Sequence, residues 1–254
     1  MFALIQWTKE KKPRMGETEV LRVRFCTVPL KRGGPAFVLR RRCRRAARQL
    51  VRLGITRAVF PADFAWVGEF AAEGVLPADP LPLYRALAAE LVQAELARRG
   101  GDSRGVPVAV CADRLTAEVR QAVTALCIRS RYVVLSAPDR EGAFCRQLRR
   151  EYGAPVVQAE GAEQLDRAGV VVLFSARAGL FRNQAVLELY DGGTLPPWLI
   201  LPEGDDCLPE GCDRRQLMGA LWTVGALRAG QLRIIPEKAE GRDGDPPETR
   251  QSYA

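Results

Sequence analysis

The side chains able to do chemistry in this chain are carboxylates, thiols, tyrosines and arginines, and the missing types narrow the field. There is no histidine in the 254 residues, which excludes Ser-His nucleophile activation, imidazole acid-base catalysis and His-ligated metals. The five lysines are Lys9, Lys11, Lys12, Lys31 and Lys238. The long span between Lys31 and Lys238 therefore has no P-loop lysine, no Schiff-base lysine and no Tyr-x-x-x-Lys pair. Of seven cysteines, Cys26, Cys43, Cys111, Cys127 and Cys145 fall within predicted strands or helices, where Cys acts as a small hydrophobe. Cys207 and Cys212 share a loop, but their C-x4-C spacing is a poor match to zinc hooks. That loop also gathers Glu203, Asp205, Asp206, Glu210 and Asp213 without the glycine-punctuated order of a calcium loop. Asp213 is expected to cap the following helix and the others to be solvated, so no metal is expected.

Arginine is the densest chemical signal. Arg40, Arg41, Arg42, Arg44, Arg45, Arg48 and Arg52 crowd one predicted helix. Arg41, Arg44, Arg45, Arg48 and Arg52 recur at three- and four-residue intervals, opposite an apolar face of Leu39, Cys43, Ala46, Ala47 and Leu50. Residues 1–57 hold sixteen basic and three acidic side chains, leaving the remainder five charges negative although the whole chain is +8. Like charges at helical spacing repel one another, and acidic neighbours are scarce nearby in sequence. The stripe reads as a solvated face, as a lock onto the acidic remainder, or as the site of an acidic protein partner. Nucleic acid is a weaker reading, because no nucleic-acid-binding fold accompanies the arginines and Phe37 is the one aromatic on the helix.

These groups are positioned by a regular series of elements. Residues 2–8 and 19–27 read as two strands joined by a charged turn, with Leu21, Val23 and Phe25 alternating with Arg22 and Arg24. Gly33-Gly34-Pro35 opens the arginine-rich helix, which Gly54 ends. ITRAVF (55–60) reads as a strand, followed by helices at about 63–73 and 81–99. RRGGDSRG (98–105) is a candidate domain boundary. Beyond it, VPVAVCA, RYVVLSA, PVVQA and GVVVLFSA are short apolar runs alternating with helical patterns at about 114–127, at about 140–152 (presenting Phe144, Leu148 and Tyr152) and at EQLDRA. That alternation predicts a parallel sheet covered on both faces. AVLELYD and PWLILP, a helix at 213–227 and the strand QLRII follow. The longest uncharged apolar stretches, such as Ala122 to Ile128, are too short to span a bilayer. No signal peptide is apparent, so a cytoplasmic location is expected.

The strand-helix order of residues 106–176 resembles the first four strands of an NAD(P)-binding Rossmann domain. AGVVVLFSARAG (168–179) is similar to the fourth strand and following loop of the shikimate dehydrogenase and glutamyl-tRNA reductase group. The resemblance implies that this loop lies near a nicotinamide cofactor. The candidate crevice positions are Ala112, Asp113, Ser136, Asp139, Ser175 and Ala176, at the carboxyl ends of the predicted strands. The chain departs from the family pattern at its two phosphate- and ribose-binding points. The first turn, Cys111-Ala112-Asp113-Arg114-Leu115, has no glycine to admit a pyrophosphate, and Asp113 is expected to cap the next helix. Ser136-Ala137-Pro138 stands where an acidic residue would hold the ribose, with Asp139 slightly late.

The expectation is thus an α/β chain with a small α/β N-terminal domain over 1–103, a Rossmann-like domain over 104–236 and a disordered tail over 237–254. It is expected to bind a protein partner or small ligand without catalysis and without NAD(P). An NAD(P)-dependent reductase with an atypical loop is the alternative, and nucleic-acid binding through the arginine stripe is a further one.

Overall fold

A computed structural model describes residues 1–10, 14–100, 105–139, 142–153, 156–159, 161–177, 183, 185–202 and 208–236. The tail from 237, residues 101–104 of the candidate boundary at 98–105, and Glu203, Asp205, Asp206 and Cys207 lie outside the described residues.

The first sheet has the order β2-β3-β1-β4-β5. Its centre, β1 (Phe2–Thr8), pairs in parallel with β3 (Val23–Lys31) on one side and β4 (Arg57–Val59) on the other. The period of two divides β1 between two cores: Ala3 and Ile5 face one, Phe2 and Leu4 the other. β2 (Gly16–Val20) joins β3 as an antiparallel hairpin in which Val20 pairs with Val23. The expected single strand over 19–27 is therefore two strands. Leu21 and Arg22 form its turn with φ of 47° and 65°, the left-handed pair that a tight hairpin requires. Without Gly, Asn or Asp at these positions, the alternating pattern runs through the turn unmarked.

α1 (Ala36–Arg52) crosses from β3 to β4, burying Cys43, Ala47 and Leu50 against the sheet, and Gly54 at φ +73° ends it. α2 (Val67–Ala71) is much shorter than the helix expected over 63–73, and β5 (Leu76–Pro77), which the pattern did not reveal, closes the sheet. The helix expected over 81–99 is two, α3 (Leu81–Ala86) and α4 (Ala88–Arg98), broken at Leu87 (φ −103°, ψ 22°).

The second sheet contains β6 (Val108–Cys111), β7 (Val133–Ser136), β8 (Val156–Gln158), β9 (Val170–Leu173) and β10 (Ala185–Glu188), ordered β10-β9-β6-β7-β8 with every pair parallel. This is the Rossmann-like strand order. Its one face (Val108, Val110, Val170, Val172) packs with α4, α5 (Ala117–Arg129) and α6 (Ala143–Tyr152). The other (Ala109, Cys111, Val171, Leu173) packs with Leu165 of α7 (Ala162–Asp166). Both faces are covered, which is why these strands are apolar throughout. Tyr152, expected on the inner side of α6, sits in its last turn and is exposed.

β11 (Trp198–Pro202) and β12 (Leu232–Pro236) form a separate antiparallel pair. Between them α8 (Arg214–Thr223) packs on α3, β11 and β4. Its cap is Asp213, as expected, accepting from the Gln216 N–H at 3.1 Å. One apolar core takes in Leu4 and Val59 of the first sheet together with Val108 and Val172 of the second. Among the described residues, no helix is long and apolar enough to cross a membrane.

Candidate functional site

Three places concentrate polar chemistry. The first is the crevice between the carboxyl ends of β6 and β9, where the chain switches direction across the second sheet. Ala112, Asp113 and Ser175 come together there, lining a 360 Å³ cleft with Arg85, Arg114 and Thr116. Asp113 is not the helix cap. Thr116 takes that role, its Oγ1 accepting from the Val119 N–H at 3.3 Å. The residues after Cys111 make a bend before the helix begins, which carries Asp113 too far upstream to reach the first amides. Ser136 Oγ accepts from Arg177 Nη1 at 2.8 Å, so this arginine reaches across the strand ends. Arg177 also acts on the Cys111 thiol, partly countering the burial that pushes it up. Asp139 turns to α6, accepting from the N–H groups of Phe144 (3.1 Å) and Cys145 (3.0 Å). Burial would raise its carboxyl pKa, but these bonds outweigh burial and hold it below the ordinary value. Ala176 lies exposed beyond Ser175. Thr116 thus engages one first-turn amide of α5, that of Val119, and Asp139 engages two of α6.

The second place is the outer face of α1, where a 790 Å³ groove runs among its arginine side chains. The stripe does not stay free of acidic neighbours, as its sequence surroundings suggested. Arg40 and Arg44 both pair with Glu69 of α2 at 2.7 Å, and Arg48 grips Glu73 with two bonds of 2.8 Å. Hydrogen bonding and charge between Arg48 and Glu73 raise the guanidinium pKa and lower the carboxyl pKa. These partners lie in and just after α2, at the start of the acidic remainder beyond residue 57. Arg41, Arg45 and Arg52 have no ion-pair partner among the described residues, and Phe37 beside them is 73% exposed.

The third place was not anticipated. A cleft of 800 Å³ opens at the carboxyl ends of β1, β3 and β4 and is bordered by the loop at 209–212. Trp7 Nε1 donates to Asp63 Oδ1 at 2.9 Å, and Arg32 Nη2 pairs with Asp63 Oδ2 at 2.5 Å. The Arg32 guanidinium sits 5.9 Å from the Trp7 ring centre, and the Trp7 ring leans on Phe64 at 5.2 Å. The bordering loop is tied to β4 by the Ala62 N–H donating to Gly211 O (3.1 Å) and the Asp213 N–H donating to Phe60 O (2.8 Å). The sequence held one signal: an apolar strand, FALI, ending in polar Gln6 and amphipathic Trp7.

No protein-family model matches the chain, and no curated protein matches it. Among solved structures it is similar to the L-tryptophan dehydrogenase of Nostoc punctiforme at 14% identity and a TM-score of 0.30, over 60% of this chain and 45% of that one. It is similar to the aspartate transcarbamoylase of Trypanosoma cruzi at 14% identity and a TM-score of 0.29, over 68% and 61%. A D-lactate dehydrogenase from Lactobacillus jensenii aligns at 8% identity and a TM-score of 0.24, over 60% and 56%. The chain spans about half the length of these proteins. The resemblance is distant, and the Rossmann-like description rests on the strand order above.

The chemistry these places can supply is cationic recognition. Burial pushes the thiols of Cys43, Cys127 and Cys145 up to about 11, so they are protonated and weakly nucleophilic at neutral pH. Cys212 is buried too, its thiol donating to Pro209 O at 3.1 Å. Among the described residues no three acidic or thiol side chains gather to hold a metal.

Proposed function

We propose that this chain is a non-catalytic Rossmann-like binding protein whose working surface is the outer face of α1, and that this face takes an acidic segment of another protein. The observation that carries the reading is the division of the arginines. Glu69 and Glu73 offset Arg40, Arg44 and Arg48, while Arg41, Arg45 and Arg52 lack an ion-pair partner among the described residues beside an exposed Phe37. Three cations held along one rigid helix favour a partner of opposite charge and steer its approach. The row is one helix long, about 25 Å for its 17 residues. Glu69 and Glu73 border it, so a phosphodiester strand running past the helix would meet carboxylates, whereas a short acidic helix or loop can end within the row. The glycine-free turn after β6 supports a role without a dinucleotide.

The test is a fluorescence-anisotropy titration with a labelled poly-glutamate peptide of about 20 residues at low salt, using wild type and an Arg41→Gln/Arg45→Gln/Arg52→Gln variant. The variant is expected to bind at least about tenfold more weakly, with a shallower salt dependence. Equal binding by the variant, or none by wild type, would overturn the proposal. Tighter binding of a single-stranded oligonucleotide of matched charge would transfer the site to nucleic acid. Calorimetry with NAD and NADP is expected to show no saturable micromolar isotherm; such an isotherm would favour the reductase reading.

A further inference from the structure

We infer that the cleft at the carboxyl ends of β1, β3 and β4 is a small-molecule site in which Arg32 receives the carboxylate of a monocarboxylic acid. Loops leaving parallel strands at their carboxyl ends are where open α/β sheets hold ligands, and the loops after β3 and β4 flank the end of β1 here. The 800 Å³ volume falls in the range of small-ligand pockets, roughly 300–1,000 Å³, which join an apolar wall to a few polar groups. Ile5, Trp7 and Pro61 supply the wall.

Arg32 is prepared for a ligand. Asp63 holds one nitrogen of its guanidinium, the Trp7 ring lies alongside, and Trp7 Nε1 in turn fixes Asp63. The side chain remains 68% exposed, and a guanidinium has five N–H donors in a fixed fork, of which the Asp63 bond uses one. Its orientation is set before a ligand arrives, so little further ordering is needed. Gln6 is half-buried in the same cleft, and its side-chain amide has no partner among the described residues. The remaining donors of the Arg32 fork suit a planar carboxylate. Two features favour a monoanion over phosphate: among the described residues Arg32 is the one guanidinium bordering the cleft, and the carboxylates of Asp63 and Glu210 border it as well, so a second negative charge on the ligand adds repulsion that no second cation offsets. The apolar wall asks for a body of small aliphatic or aromatic character.

The experiment follows the indole N–H resonance of Trp7 in the 15N-labelled full chain, assigned with Trp7→Phe from the four tryptophans. Benzoate and butyrate are titrated to about 20 mM, with benzamide and inorganic phosphate as controls. At least one carboxylate is expected to shift the resonance saturably with a millimolar or tighter Kd, about −4 kcal/mol or stronger. Benzamide and phosphate are expected to bind at least tenfold more weakly. Arg32→Gln should abolish the shift, and Arg32→Lys, which keeps the charge and loses the fork, should weaken it severalfold. No saturable shift with either carboxylate, tighter binding of phosphate, or undiminished binding by both Arg32 variants would overturn the inference.

Discussion

Glu95 of α4 is only 4% exposed, and both Arg98 and Arg99 reach it at 2.7 Å from the following turn. Burial alone would raise its pKa, yet the two guanidinium bonds outweigh burial and the folded-state value lies below the ordinary carboxylate value. The stabilisation this provides is complete above the unfolded-state pKa, about 4.3, and is lost as pH falls through the depressed folded value. Glu95→Gln is expected to lower stability at pH 7 by about 1–2 kcal/mol in urea melts, because the stranded arginines can turn to water. The deficit should shrink as pH falls below about 4. A deficit unchanged over that acid range would show that packing, and not the charge, is at work. Caps follow the same local logic with a twist: Asp213 was legible from its position before an amphipathic run, whereas Asp113 lost its expected role to Thr116 three residues on. Both side chains could cap, and only the path of the turn after β6 decides between them.

Gly219 shows what an element contact demands. On α8 it lies so close to the Asp79–Pro80 backbone that an added Cβ would stand 2.8 Å from Pro80 Cα and nearer still to Asp79 O. The obstacle is backbone, which cannot swing aside as a side chain would. Gly219→Ala is therefore expected to destabilise the fold by about 1–3 kcal/mol through overpacking, despite alanine's better helix propensity. A midpoint at or above wild type in denaturant would mean that α8 can lift from α3 without loss. The neighbouring break at Leu87 was hidden for a related reason. Leu83, Leu87 and Leu91 keep helical spacing across it, and all are buried, so the periodicity reports burial but not the backbone kink between them.

At the scale of the whole molecule, the two sheets share apolar surface. Leu4 and Val59 of the first and Val108 and Val172 of the second belong to one core, and α8, late in the chain, packs on β4 near its beginning. Gln216 of α8 strengthens that return, its Oε1 accepting from the Phe60 N–H at 3.0 Å. Elements that share a core lose their support together, so the chain is expected to unfold in one transition. Far-UV circular dichroism and tryptophan fluorescence should give coincident urea curves. Two separated midpoints would assign independent stability to the two sheets, in line with a division near residue 103.

The sequence by itself determined the class of each strand in the second sheet, the buried side of α1, the Asp213 cap and the absence of imidazole chemistry, because each depends on residue type or on local spacing. A parallel sheet buried on both faces selects strands that are apolar throughout, and that selection is visible in one dimension. Only the tertiary structure decided which charges meet. Arg48 finds Glu73 across 25 residues, Arg32 finds Asp63 across 31, and Trp7 finds Asp63 across 56. Exposed charges and amphipathic strand ends obey no period. Their partners are chosen by which loops the sheet order brings to the same edge, and that choice is made by the pairing of β1 with β3 and β4.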